Sequence, residues 1–125
     1  MNDHVLEGLR VLVVEDEALI ALFLEEGLLA AGCEVVGPVS KLDAAVKLAE
    51  DEQLDAAILD VTVRGGSVFP VAKILMERGI PFTFATGYGE WALPDAFRGK
   101  PVLKKPFTFA ELERALQTAM APPPR

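Results

Sequence analysis

Apolar residues along the chain fall into two alternating patterns: short unbroken runs, and longer stretches in which they recur every three or four positions. RVLVV (10–14) is a run of the first kind. It is followed by ALIALFLEEGLLAAG, a segment of helical period whose apolar stripe takes in Leu19, Phe23 and Leu28 and which stops near Gly32. EVVGPV (34–39) leads to SKLDAAVKLAEDE, where Ser40 is the candidate cap, Asp43 stands at the third helical position, and Leu42, Ala45, Val46 and Ala49 share a face. DAAILD (55–60) precedes SVFPVAKILMERG, with Ser67 as candidate cap, Pro70 in the first turn and Gly79 as the stop. PFTFAT (81–86) is the fourth run, and the glycines and Pro94 of GYGEWALPDAFRGK after it predict a short or irregular helix. PVL (101–103) is a brief fifth strand. TFAELERALQTAM then forms the last helix, opened by a Thr108, Glu111 capping box and carrying Phe109, Leu112 and Leu116 on one side, before a frayed tail, APPPR.

Strands that are apolar almost throughout, separated by helices, predict a parallel sheet covered on both faces and hence an α/β fold. Right-handed crossovers between five such units fit a flavodoxin-like (βα)5 three-layer sandwich with strand order 2-1-3-4-5, whose active crevice lies at the carboxyl ends of the strands. The 125 residues suit a single domain, with its core over about 9–120.

Composition narrows the chemistry. A chain that is 51% hydrophobic and 25% charged can bury a core and fold alone. Its 12 basic and 19 acidic residues leave a formal charge of −7, a field that repels phosphate backbones and anionic lipid, so no direct nucleic-acid partner is expected. No apolar run approaches the roughly 20 residues needed to span a bilayer, and MNDHVLEG lacks an export signal, which predicts a cytoplasmic protein with no membrane insertion. The lone Cys33 fits a reducing compartment and reads as a small buried hydrophobe. His4 is the one histidine, too few for histidine-based triads or His-rich zinc sites. Chemistry must therefore run on carboxylates, hydroxyls and lysines.

Such groups gather at the predicted carboxyl edge. In AAILDVTVRGG (56–66) an apolar strand ends in an acid, Asp60, where a glycine-rich loop begins. Glu15, Asp16 and Glu17 follow the first strand, Thr86 ends the fourth, and Lys104, Lys105 and Pro106 follow the fifth. Each has a plainer role alone: helix-starting acids, a turn, a β-branched strand residue, solvated lysines. Converging on one crevice, the carboxylates repel one another unless a cation sits among them. Mg²⁺, a hard ion with oxygen ligands, suits one or two carboxylates plus a phosphate oxygen. A lysine opposite would neutralise a phosphoryl oxygen, the Thr86 hydroxyl would bond another, and Asp60 would be the nucleophile.

With VVEDE as the acidic pair, ILDV as the acceptor, FAT as the switch hydroxyl and KKPF as the lysine followed by proline, the chain resembles the receiver domain of two-component response regulators over residues 9–120. The resemblance implies that Asp60 accepts a phosphoryl group from a sensor histidine kinase or histidine phosphotransferase. It implies that Asp16 binds Mg²⁺ directly, that Glu15 assists, and that the backbone carbonyl of Thr62 completes the metal site with Asp60. It also implies that Lys105 is the matching lysine, joined to Pro106 by a cis peptide, with Lys104 a solvated neighbour. Thr86, moving toward the phosphoryl group, would reset the surface made by the fourth strand, the fourth helix and the fifth strand. Many receivers couple this motion to an aromatic where this chain has Val102. FATGYG resembles instead the FATGUY subgroup of stand-alone or stress-pathway receivers, in which Tyr88, Trp91 and Phe97 would supply repacking, a partner contact, or simply core. With no effector segment after it, the chain is expected to act by docking a downstream protein or by passing the phosphoryl group on. Two rivals stand beside this reading. One is a degenerate receiver that binds partners without phosphorylation. The other is a phosphohydrolase of the haloacid dehalogenase type, whose pattern wants a second acid where Thr62 stands.

Overall fold

A computed structural model describes residues 5–87 and 93–121. In chain order the elements are β1 (Arg10–Val14), α1 (Ala18–Ala30), β2 (Glu34–Val39), α2 (Leu42–Asp51), β3 (Ala56–Asp60), β4 (Thr62–Val63), β5 (Gly66–Ser67), α3 (Phe69–Arg78), β6 (Phe82–Thr86), a 3-10 turn (Asp95–Phe97), β7 (Val102–Lys104) and α4 (Phe109–Met120). The five apolar runs form one parallel sheet in the order β2-β1-β3-β6-β7, which is the predicted 2-1-3-4-5 arrangement of a flavodoxin-like α/β fold. Helices cover both faces of the central strands, so every residue of β3 and β6 is buried and neither strand shows alternation.

Alternate β1 side chains serve opposite faces. Val11 and Val13 join Ile58 and Ala85 against Leu24 and Leu28 of α1 and Leu112 and Leu116 of α4. Leu12 and Val14 join Leu59 and Phe84 against Ala45 and Ala49 of α2 and Val71 and Leu75 of α3. Phe97 belongs to this second core: it is buried and stacks on Phe69 with ring centroids 5.4 Å apart. Of the roles open to Phe97 it covers core, while Tyr88 and Trp91 lie outside the described residues. Val102 is half-buried beside Phe84 in the β6–β7 register. Cys33 is buried as expected, its thiol donating to the Leu6 carbonyl at 3.3 Å, and burial pushes its pKa up.

Three local expectations are corrected. Helix α1 buries Leu24 and Leu28, whereas Leu19 and Phe23 are 83% and 41% exposed. Residues 18–24 are apolar all round, and adjacent residues stand about 100° apart about the axis, so periodicity cannot choose the inward face. Ser40 does not cap α2: the N-cap is Lys41, with no side-chain bond. The α2 amide of Leu42 instead donates to the Arg64 carbonyl at 2.8 Å, a cap supplied by the backbone of a distant turn. That turn is the antiparallel β4–β5 hairpin, which the sequence did not announce and whose turn uses Gly65 and Gly66 at φ 101° and 135°. Ser67 lies in β5, and α3 is capped at Val68 without a side-chain bond. Pro70 in the first turn of α3, the left-handed Gly79 stop and the Thr108, Glu111 capping box all form as the sequence predicts.

At Gly27, within α1, an added side chain has no room. A Cβ there would lie 2.6 Å from Cδ1 of Phe109, so α1 and α4 approach each other through the missing side chain. Overpacking costs about 1–3 kcal/mol and the gain in helix propensity returns about 1. Gly27→Ala is expected to lower stability by about 1 kcal/mol net in urea unfolding. Unchanged stability would mean that the Phe109 ring yields freely.

Candidate phosphoacceptor and metal site

The register of the sheet assembles the site. Val14 pairs with Leu59, so the next residues, Glu15 and Asp60, leave adjacent strands side by side. Asp60 pairs with Ala85, and Thr86 with Lys104, which brings Thr86 and Lys105 to the same edge. A cleft of about 530 Å³ results, lined by Asp16, Glu17, Asp60, Thr62, Thr86, Gly87 and Lys105. All the residues singled out in the sequence as the site therefore border or underlie one crevice. Lys104 is the exception, exposed as expected of a solvated neighbour. Thr62, the first residue of β4, lines the cleft.

Glu15 and Asp60 are 2% and 6% exposed, while Asp16 is half-buried at the rim. One carboxylate oxygen from each of Glu15, Asp16 and Asp60 lies within 4.8 Å of the others. The Lys105 ammonium reaches Glu15 Oε1 at 3.2 Å, Glu17 Oε1 at 3.3 Å and Asp60 Oδ2 at 3.4 Å. The peptide between Lys105 and Pro106 is cis, as the resemblance implies. Glu15 Oε2 accepts from the Glu17 amide at 3.1 Å and from Lys105 Nζ at 3.2 Å. Glu15 Oε1 is a buried oxygen with no hydrogen bond, 3.2 Å from the ammonium.

Burial, with the Glu15 charge beside it, pushes the Asp60 carboxyl up to about 7, and Lys105 opposes this only in part. Burial draws the Lys105 ammonium down, but the charges of Asp60 and Glu15 outweigh it and its pKa is raised. Three crowded carboxylates, one titrating far above its usual range and another with an orphaned oxygen, are poor as a closed ion-pair network and well suited to a divalent cation. The donors are all hard oxygens, the set that Mg²⁺ takes.

In the sequence Glu17 is the third acid after the first strand, a helix-starting residue with no assigned part in the metal site. It is the N-cap residue of α1, yet its side chain makes no capping bond and turns to Lys105. An acid directly after the acidic pair is the only signal that could have marked it.

No protein-family model matches the chain. The chain is 42% identical to SdrG from Sphingomonas melonis Fr1, whose solution structure it matches with a TM-score of 0.80 over 97% of this chain and 100% of that one. The BeF3-activated conformation of SdrG matches with a TM-score of 0.74 at 44% identity, over 90% of this chain and 96% of that one. Over 116 residues the chain is 34% identical to the transcriptional regulatory protein PdtaR of Mycobacterium tuberculosis, covering 90% of this chain and 57% of that protein. It thus spans little more than half the length of that curated relative. The receiver domain of the sensor histidine kinase PA1611 from Pseudomonas aeruginosa, solved with a magnesium ion in its active site cleft, matches with a TM-score of 0.73 at 25% identity, over 90% of this chain and 98% of that one.

Proposed function

Because the chain belongs to the receiver domains of response regulators, we propose that Asp60 is its phosphoacceptor, taking a phosphoryl group from a phosphohistidine on a sensor kinase or phosphotransferase. An Asp60 oxygen forms a bond to phosphorus as the P–N bond breaks, and the departing imidazole keeps the bonding pair and takes up a proton. Mg²⁺, when bound, supplies charge neutralisation for the carboxylates and the transferring group. Glu15, Asp16, Asp60 and the Thr62 carbonyl would hold it. Lys105 holds Asp60 in place and meets the incoming negative charge, and the Thr86 hydroxyl donates to a phosphoryl oxygen. The carrying observation is that carboxylates just after β1 and at the end of β3 meet within 4.8 Å, with an ammonium 3.4 Å from Asp60.

The chain is on this reading a signalling switch that catalyses only its own phosphorylation and dephosphorylation. Added charge at Asp60 draws Thr86 inward and resets the surface between β6 and β7, where a downstream protein docks or from which the phosphoryl group moves on. The phosphodonor has an apolar surface to meet beside the cleft. Leu19, Leu22 and Phe23 of α1 are exposed, and Phe23 makes an edge contact with Phe107, two residues beyond Lys105.

With acetyl phosphate and Mg²⁺, native mass spectrometry is expected to show one added phosphoryl group, labile to acid and base, and EDTA to abolish the gain. Transfer undiminished by EDTA would remove the metal from the proposal. No phosphoryl gain, together with amide spectra unmoved by beryllofluoride, would leave a binding module that works without phosphorylation.

A further inference from the structure

Resting on the reading of Asp60 as the acceptor, we infer that Glu17 is a positioning residue that tethers Lys105 at the mouth of the cleft and so restrains phosphoryl acceptance. An ammonium has three donors, and Lys105 directs its charge at three carboxylates, Glu15, Glu17 and Asp60, all within 3.4 Å. A phosphoryl group arriving on Asp60 brings further acceptor oxygens that need this same ammonium, so one existing partner must be released.

The three partners are not equivalent. The Glu15 side chain is 1% exposed, and leaving it without a cation would strand a buried charge, which is strongly unfavourable. Asp60 is the reacting group itself. The Glu17 side chain is 62% exposed and is rehydrated at little cost when the lysine leaves. It is therefore the partner that exchanges. The local backbone agrees: Glu17 occupies the N-cap of α1, where a side chain would ordinarily bond the first-turn amides, and it makes no such bond. The Glu15 carboxylate accepts the Glu17 amide, which fixes where the Glu17 side chain starts and aims it across the cleft mouth. Losing this tether should help the lysine move inward.

The test is Glu17→Gln, which keeps the size and removes the charge. Phosphorylation of Asp60 from acetyl phosphate, in which the new Asp60 O–P bond forms as acetate leaves, is expected to run about three- to fivefold faster, the value of one partly exposed ion pair. Beryllofluoride with Mg²⁺ should bind tighter by a similar factor. Both measurements are made at about 0.5 M salt, which screens long-range repulsion between Glu17 and the anionic donor. The tether acts through Lys105, so Glu17→Gln should change neither quantity in a Lys105→Ala background, and Glu17→Asp, a shorter arm with the same charge, should fall between wild type and Glu17→Gln. A Glu17→Gln protein with wild-type rate and beryllofluoride affinity overturns the inference, as does an equal acceleration with and without Lys105. Those failures leave Asp60 as acceptor untouched. A wild-type chain that takes up no phosphoryl group at all sinks the acceptor reading, and this inference with it.

Discussion

Asp60→Asn is expected to abolish phosphoryl gain, a loss of at least about a hundredfold for removal of a covalent nucleophile, and at the same time to make the metal-free protein more stable at pH 8. The gain in stability should be on the order of 3 kcal/mol. Its source is the burial and the neighbouring Glu15 charge that push the Asp60 carboxyl up to about 7 from its ordinary 3.8. A carboxyl raised on folding binds its proton more tightly in the folded chain than in the unfolded one. Its favourable contribution is therefore complete below about pH 4 and is lost progressively as pH rises to about 7. Above that, the wild-type fold carries an ionised Asp60 it would rather not hold, while asparagine has the same shape and no charge. The difference between variant and wild type should be near zero at pH 4, grow through the window and flatten above pH 7. Urea unfolding in EDTA at several pH values reads this difference directly, and titrating groups remote from the cluster cancel in it. A variant no more stable than wild type at pH 8 would show that the Asp60 charge is well compensated by Lys105 alone, and that the site has no need of a cation. Loss of function with gain of stability in one substitution is the signature of a site assembled for chemistry.

The sequence carried the strand set and its order because both depend on one-dimensional information: apolar runs too continuous for a two-faced sheet, and crossovers of fixed hand. The same logic located Glu15, Asp16, Asp60, Thr86 and Lys105, since each stands at the end of a strand and parallel strands in register bring their ends together. What stayed hidden depends on partners distant in sequence or on direction about an axis. Leu19 and Phe23 could not be told from Leu24 and Leu28 in a segment that is apolar on every side. The backbone cap that Arg64 gives Leu42 carries no side-chain signature, so Ser40 and Ser67 were the natural candidates and neither serves. The reach of Glu17 to Lys105 crosses 88 positions and shows only when distances are known. Glu15 illustrates the intermediate case. Its place in the site was readable, but its burial and its unbonded oxygen, the features that favour a cation, came from packing.

The proposed Mg²⁺ site should weaken about tenfold for each pH unit below about 7 and level off above it. A metal must displace the proton that Asp60 holds, and in the metal-free protein that proton leaves at about 7. Between pH 8 and pH 5 this competition amounts to about a hundredfold in apparent affinity, the largest dependence on solution conditions that the site's electrostatics predict. Lys105 adds no slope: its pKa is raised from 10.5, so it stays charged throughout and repels the cation equally at each pH. Isothermal titration calorimetry at fixed ionic strength, in buffers of different ionisation enthalpy, gives both the affinity and the proton released. About one proton should leave per ion bound at pH 6, and almost none at pH 8.5. In Asp60→Asn the slope should vanish along with much of the affinity, because the carboxylate that carries the proton is also a ligand. Affinity that is flat from pH 5.5 to 8 in the wild type would place the cation away from Asp60. The orphaned oxygen of Glu15 and the raised carboxyl of Asp60 would then need an explanation other than a shared metal.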